Sequence, residues 1–287
     1  MSIQKVSIHG GHSGQFCNHA KDRLEDIVKA YIEKEFTWVG LTEHMPPPDN
    51  AFRYPDEIEA GLNYRDLQER FDEYMNTARV LQKKYADQID ILVGFETESY
   101  TGSAPYIQSL IKTYTPDYVV GSVHHVDDIN FDFSPEAYEK AINHMGGIIE
   151  LYNAYFDVQY EMIKDISPQV VGHIDLIRIF DQFCDTHFNH PDCLNQIHRN
   201  MLLIQSEQII LDINLRAMMK PSQKPYVNSL ILEKARMLEI PVVPGDDSHG
   251  VDTVGLNFEI GVQLLEKYNI NTNWQRPDQR PSKKGQE

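Results

Sequence analysis

The chain has 287 residues, 41% of them apolar, and a formal net charge of -17. That charge speaks against a long nucleic acid partner, because phosphate backbones are held by basic surface, and no basic run exceeds Lys83-Lys84 or Lys283-Lys284. No run of eighteen apolar residues is present to cross a membrane, and Met1-Ser2-Ile3-Gln4-Lys5 lacks the apolar stretch of a secretory leader, so a cytoplasmic protein is expected.

Short Val- and Ile-rich runs alternate with longer helical patterns from the N-terminus onward. The expected strands are 6–9, 38–42, 89–95, 118–123, 170–173, 209–213 and 242–245. The expected helices are 22–34, 64–85, 104–112, 135–163, 194–206, 227–238 and 258–267. Seven strands alternating with helices imply an α/β fold with a parallel sheet and right-handed crossovers. One domain is expected over residues 1–270, with a loose polar tail at 271–287 whose arginines Arg276 and Arg280 are solvated. Cys17, Cys184 and Cys193 are widely spaced and form no Cys-x-x-Cys, so neither a zinc finger nor a disulfide framework is suggested.

The ends of the expected strands carry the information. In chain order they read His9-Gly10-Gly11-His12 followed by His19, Thr42-Glu43-His44, Glu96-Thr97-Glu98, His124-His125, His173-Ile174-Asp175, Asp212-Ile213-Asn214-Leu215-Arg216, and Asp246-Asp247-Ser248-His249. An open sheet gathers functional residues near its switch point. A closed barrel brings every C-terminal strand end to one mouth. Polar residues spread over all seven ends therefore favour a (β/α)7 TIM-like barrel, closed or nearly so.

A lone histidine is usually a hydrogen-bonded structural residue, and His144, His187, His190 and His198 keep that reading. A buried group of imidazoles and carboxylates is different, because it is costly unless cations join it. Nitrogen and oxygen donors without thiolate suit Zn, Mn or Fe, and more donors than one ion needs imply two or three divalent ions. Cys17, near His19, is read as packing. Clustered ions suggest hydrolysis.

This set of strand ends resembles the polymerase and histidinol phosphatase (PHP) superfamily over nearly the whole chain. The matching residues are His12 and His19, Thr42-Glu43-His44-Met45-Pro46, Gly94-Phe95-Glu96, Gly121-Ser122-Val123-His124, Gly172-His173-Ile174-Asp175 and Asp247-Ser248-His249. The resemblance implies a distorted barrel and metal ligation by His9, His12, His19, His44, Glu96, His124, His173, Asp247 and His249, with Glu96 bridging ions. It also implies hydrolysis of a small phosphate monoester, with L-histidinol phosphate and histidine biosynthesis leading. Nucleotides, oligonucleotide ends or a catalytically inactive metal-binding module are the alternatives.

One departure stands out: the family opens on His-x-His, whereas here Gly10 stands two before His12. Alternation along a strand puts His9 and His12 on opposite faces. Either a bulge at Gly10-Gly11 turns His9 inward, or that ligand is lost. Asp247, His249 and Arg216 are the expected catalytic residues. Arg216, Arg178, His125 and Glu98 are the candidates for holding substrate, with arginine offering a planar fork for phosphate. Glu43 and Glu98 are also candidates to orient histidine rings. Residues 45–63, rich in proline and aromatics, are expected to cover the mouth as a lid.

Overall fold

The computed structural model describes residues 3–219 and 224–279. The strands are β1 (Lys5–Ser7), β2 (Phe36–Leu41), β3 (Asp90–Glu96), β4 (Tyr118–Gly121), β5 (His125–Val126), β6 (Ile129–Asn130), β7 (Val170–Val171), β8 (Ile210–Asn214) and β9 (Val242–Gly245). The helices are α1 (Leu24–Glu33), α2 (Pro55–Glu59), α3 (Tyr64–Lys84), α4 (Ser103–Tyr114), α5 (Pro135–Met145), α6 (Ile148–Ile166), α7 (Cys184–Phe188), α8 (Pro191–Ser206), α9 (Ser229–Met237) and α10 (Phe258–Lys267).

Seven strands pair in parallel in the order β1-β2-β3-β4-β7-β8-β9. The ends of this order meet. The Ile8 amide donates to the Pro244 carbonyl at 2.9 Å, and the Asp247 amide donates to the His9 carbonyl at 2.9 Å. The expected barrel is therefore present, its seam held just above β1.

Each expected strand exists within a few residues of its expected bounds. The short helices α2 and α7 were not expected, and three further features differ. The helix expected over 135–163 is two helices, interrupted at Gly146-Gly147. The β5–β6 hairpin was not foreseen; its turn residues Asp127 and Asp128 both take left-handed φ, +48° and +61°, which suits the inherent twist of a two-residue hairpin. The tail is not loose through residue 278. The Trp274 indole donates to the Gln4 carbonyl at 2.7 Å, and Arg276 is shared between Asp278 and Asp90. Arg276 thus ties the tail to the start of β3, while Arg280 lies outside the described residues.

The barrel interior has two layers, as strand periodicity requires. Val6, Trp38, Leu92, Tyr118, Val120, Val170, Ile210 and Val243 belong to one buried apolar cluster that forms the floor. Two or four residues further along β3 and β8 the same face presents Glu96 and Asp212 with Asn214, and Asp247 follows just past β9. The polar layer thus lies at the C-terminal ends, directly above an apolar floor. The larger apolar clusters lie between the sheet and the surrounding helices.

Candidate metal centre

Glu96, the last residue of β3, is the hub. Its Oε1 lies 2.8 Å from His173 Nε2 and 3.2 Å from His124 Nε2. Its Oε2 lies 3.2 Å from His44 Nδ1, 3.4 Å from His9 Nε2 and 4.0 Å from His12 Nε2. Asp247 Oδ1 approaches His12 Nε2 at 3.3 Å and His249 Nδ1 at 3.5 Å.

Local backbone structure delivers these groups. His44 extends β2 by an isolated parallel bridge to Glu96. The Glu96 amide donates to the Glu43 carbonyl, and the Met45 amide donates to the Glu96 carbonyl, each at 2.9 Å. His173 and Asp247 sit at left-handed φ of +25° and +46° just past their strands, a conformation that costs a non-glycine residue energy.

His9 does face the interior. The register irregularity of β1 lies between Lys5 and Val6, not at Gly10-Gly11. The chain has already left the strand at Ser7, and Gly11, with φ +77°, turns it so that His12 also points inward. Gly245 leaves the room: a Cβ there would lie 2.9 Å from His9 Cβ and collide with Asp212.

The ring nitrogens not directed at Glu96 or Asp247 mostly have acceptors. His9 Nδ1–H donates to Asp212 Oδ2 at 2.9 Å, and His124 Nδ1–H donates to Asp132 Oδ2 at 2.8 Å. His19 Nδ1 faces Asp56 Oδ2 at 3.3 Å and His12 Nδ1 faces Glu43 Oε2 at 3.5 Å, while His249 Nδ1–H, the nitrogen that also approaches the Asp247 carboxylate, donates to the Asp247 carbonyl at 2.9 Å. A carboxylate behind an imidazole fixes its tautomer and raises its basicity toward a metal.

Buried donors remain without hydrogen-bond partners. They include His9 Nε2, His12 Nε2 and His44 Nδ1, although buried polar atoms are ordinarily satisfied. Candidate ligand atoms fall into overlapping triplets, within each of which they lie within 4.8 Å of one another: His9, Glu96 and His173; His9, His12 and Asp247; His44, Glu96 and His124; His12, His44 and His249; and, at the outer corner, Cys17, His19 and His249.

Electrostatics point the same way. Burial works against charge on His9 and His12. Nevertheless Glu96 and Asp212 hold His9 well above the ordinary imidazole range, and Asp247 and Glu43 push His12 up to about 9. Burial would raise Glu96, but His9, His44 and His124 hold it well below the usual carboxylate range. The cluster is built to take positive charge, and its donor set suits divalent Zn, Mn or Fe. Cys17 Sγ lies 3.2 Å from His19 Nε2, with its thiol pushed up by burial first and by Glu43 next. A high-pKa thiol is a poor ligand.

A cavity of about 290 Å³ opens above the cluster, lined by His19, His44, His124, His173, Arg216, Asp247 and His249, among others. The Arg216 guanidinium donates to the Asp247 carbonyl at 3.3 Å. Arg178, Glu98 and His125 do not line this cavity. Arg178 is buried in the turn after β7, where Nε donates to Asp175 Oδ2 at 2.7 Å, another nitrogen donates to the Pro225 carbonyl, and the guanidinium lies 4.9 Å from the Tyr226 ring. Asp175, three residues earlier, captures it. Glu98 lies beside Glu96 at His44, with Oε1 3.3 Å from the same His44 Nδ1 and accepting from Tyr54 Oη at 2.9 Å. His125 packs on Glu98, its Nδ1 3.4 Å from Oε2.

No role for Asp132, Asp56, Asp212 or Asn214 follows from the strand-end pattern alone. Asn214, whose Nδ2 donates to Asp247 Oδ2 at 3.1 Å, and Asp212 were visible at a strand end. Asp132 and Asp56 lie in excursions whose return to the mouth has no local signature. His144 and His187 pair with Asp127 and Asp181, away from the cluster.

Comparisons with known proteins add an independent line. The PHP domain model matches residues 10–216. The chain is 39% identical over 271 residues to the "Probable histidinol-phosphatase" of Schizosaccharomyces pombe, covering 93% of this chain and 88% of that one. It is 28% identical over 285 residues to the histidinol-phosphatase of Saccharomyces cerevisiae, covering 88% and 85%. The crystal structure of histidinol phosphate phosphatase from Lactococcus lactis subsp. lactis, complexed with zinc, L-histidinol and phosphate, superposes with a TM-score of 0.72 at 19% identity, covering 94% of this chain and 95% of that one.

Proposed function

Because the chain belongs to the PHP domain family, we propose that it is a metal-dependent phosphomonoesterase that hydrolyses L-histidinol phosphate to L-histidinol and phosphate. The observation that carries the reading is Glu96, a buried carboxylate met by His9, His44, His124 and His173 within 3.4 Å at the end of a strand. The relatives that match over most of their length carry the histidinol-phosphatase name.

Two or three divalent ions would be held by His9, His12, His19, His44, Glu96, His124, His173, Asp247 and His249. When bound, such ions supply Lewis acidity and an activated water for hydrolysis. The side chains do the rest. Arg216 at the cavity edge clamps phosphate oxygens through its planar fork. Asp212 and Asp132 hold the His9 and His124 rings from behind. Asp247 and His249 line the cavity, and one of them passes a proton to the leaving alkoxide oxygen. Residues 45–63 form a lid, and Tyr54 from this segment reaches the cavity wall.

The substrate is a small phosphorylated molecule rather than a long nucleic acid, a choice supported by the cavity's size and the net charge of -17. No helix among the described residues is long and apolar enough to cross a membrane. A cytoplasmic site of action is supported by the absence of disulfides among the free Cys17, Cys184 and Cys193.

The test is phosphate release from L-histidinol phosphate, mononucleotides and short oligonucleotides, each with Zn²⁺, Mn²⁺ or Fe²⁺ supplied. Selective hydrolysis of histidinol phosphate is expected. Preference for a nucleotide would move the substrate assignment, and no hydrolysis with any metal would refute the enzyme.

A further inference from the structure

His19 differs from the other candidate ligands in what holds it. Its side chain is 38% exposed, whereas those of His9 and His12 are fully buried. The partners of His9, His12 and His124 come from the barrel or the hairpin beside it: Asp212 on β8, Glu43 beyond β2, and Asp132 beyond β6. The partner of His19 is Asp56, on the excursion between His44 and α3, and Asp56 is itself only part-buried.

That excursion is built largely on itself. The Arg53 guanidinium donates to the Asn50 carbonyl at 3.1 Å and the Leu62 carbonyl at 2.7 Å, and the Tyr54 amide donates to Glu57 Oε2 at 2.8 Å. Its grip on the barrel is through few groups. Phe52 stacks on Tyr100 at 4.1 Å, Tyr54 Oη donates to Glu98 Oε1 at 2.9 Å, and Asp56 takes His19 while its carbonyl accepts from Asn18 Nδ2 at 3.2 Å. Two of these contacts end on site groups: His19 itself, and Glu98, whose Oε1 lies 3.3 Å from the His44 nitrogen that also faces Glu96.

We propose that residues 49–63 are a clasp whose Asp56 is a positioning residue for His19, so that ion binding at the His19–His249 corner and closure of the clasp are one linked equilibrium. The proposal rests on His19 belonging to the metal-ligating set. With the clasp away, His19 loses the acceptor that fixes its ring and its tautomer, while the groups around Glu96 keep theirs. Linkage is reciprocal: an ion that binds better to the closed form favours closure by the same factor.

The experiment uses the full chain loaded with Zn²⁺. Stepwise competition with a chelator gives the affinity of each ion, and trypsin cleavage after Arg53 reports clasp opening. In the unaltered protein, zinc slows cleavage at Arg53. In Asp56→Asn, one ion weakens by about 10- to 100-fold, the usual effect of losing a partner behind a ligand, the remaining ions keep their affinity, and zinc no longer protects Arg53. Asp56→Glu recovers part of both effects. Circular dichroism confirms that the variants fold. Unchanged affinities in Asp56→Asn, equal loss of every ion, or zinc-independent cleavage in the unaltered protein would each overturn the clasp. An unaltered protein that binds no zinc would instead overturn the metal centre on which the clasp depends.

Discussion

Glu96 Oε1 and His173 Nε2 lie 2.8 Å apart at the barrel mouth, although β4, the β5–β6 hairpin and the helices α4, α5 and α6 separate them in sequence. A buried carboxylate surrounded by rings from four different strand ends is expensive to assemble without cations. Replacing Glu96 with Gln keeps the shape and removes the charge. The expected result is a folded protein with fewer bound ions and phosphatase activity lower by at least about a hundredfold, the scale of losing one preorganised electrostatic contact. Metal analysis alongside kinetics checks it, and a variant retaining full metal content and rate would contradict the role given to Glu96.

Asp212 and Asp132 act through His9 and His124. Asp212→Asn and Asp132→Asn should each weaken metal binding by about 10- to 100-fold, with less effect on the fold than on affinity. Chelator competition measures the change. Equal affinities in variant and parent would make these carboxylates structural only.

Two arginines near the mouth are predicted to behave differently. Arg216→Ala should lower kcat/KM by about two orders of magnitude while leaving metal content and melting temperature near the parent's. Arg178→Ala should instead destabilise the protein by about 3–5 kcal/mol, because it strands the fully buried Asp175. Denaturant unfolding and steady-state kinetics together separate the two. The converse pattern would return Arg178 to the phosphate.

Metal uptake should release protons. Asp247 and Glu43 push His12 up to about 9 and Glu96 and Asp212 hold His9 above the ordinary imidazole range, which favours protonated rings at neutral pH. A ligating imidazole must be neutral at its donor nitrogen. Apparent zinc affinity should therefore rise with pH and level off once the folded-state values are passed. Calorimetry in two buffers of different ionisation enthalpy counts the protons, and a buffer-independent heat would contradict the prediction.

Much of this centre was legible in the chain because a barrel converts strand ends into one place. His44, Glu96, His124 and Asp247 needed only the strand positions and their parity, whereas His173, an odd three residues past the inward Val170, comes to the mouth through a left-handed φ of +25°. What the chain hid depended on the path between elements. His9 faces inward because the chain has already left β1 and Gly11 takes a left-handed turn, which alternation along a strand does not encode. Asp132 and Asp56 return to the mouth from a hairpin and an excursion, so their distance in sequence from the histidines they face carried no signal. Arg178 was misleading for the opposite reason: its position after β7 was right, but a buried aspartate three residues earlier claims it. The break between α5 and α6 was written locally in Gly146-Gly147.

The central claim is that these imidazoles and carboxylates enclose cations. Anomalous diffraction at the zinc edge from crystals of the zinc-loaded protein tests it most directly. Two or three peaks are predicted, at about 2.0–2.2 Å from ring nitrogens and carboxylate oxygens, with Glu96 shared between two of them. A clean map with no peak among His12, Glu96, His173 and Asp247 would contradict the account.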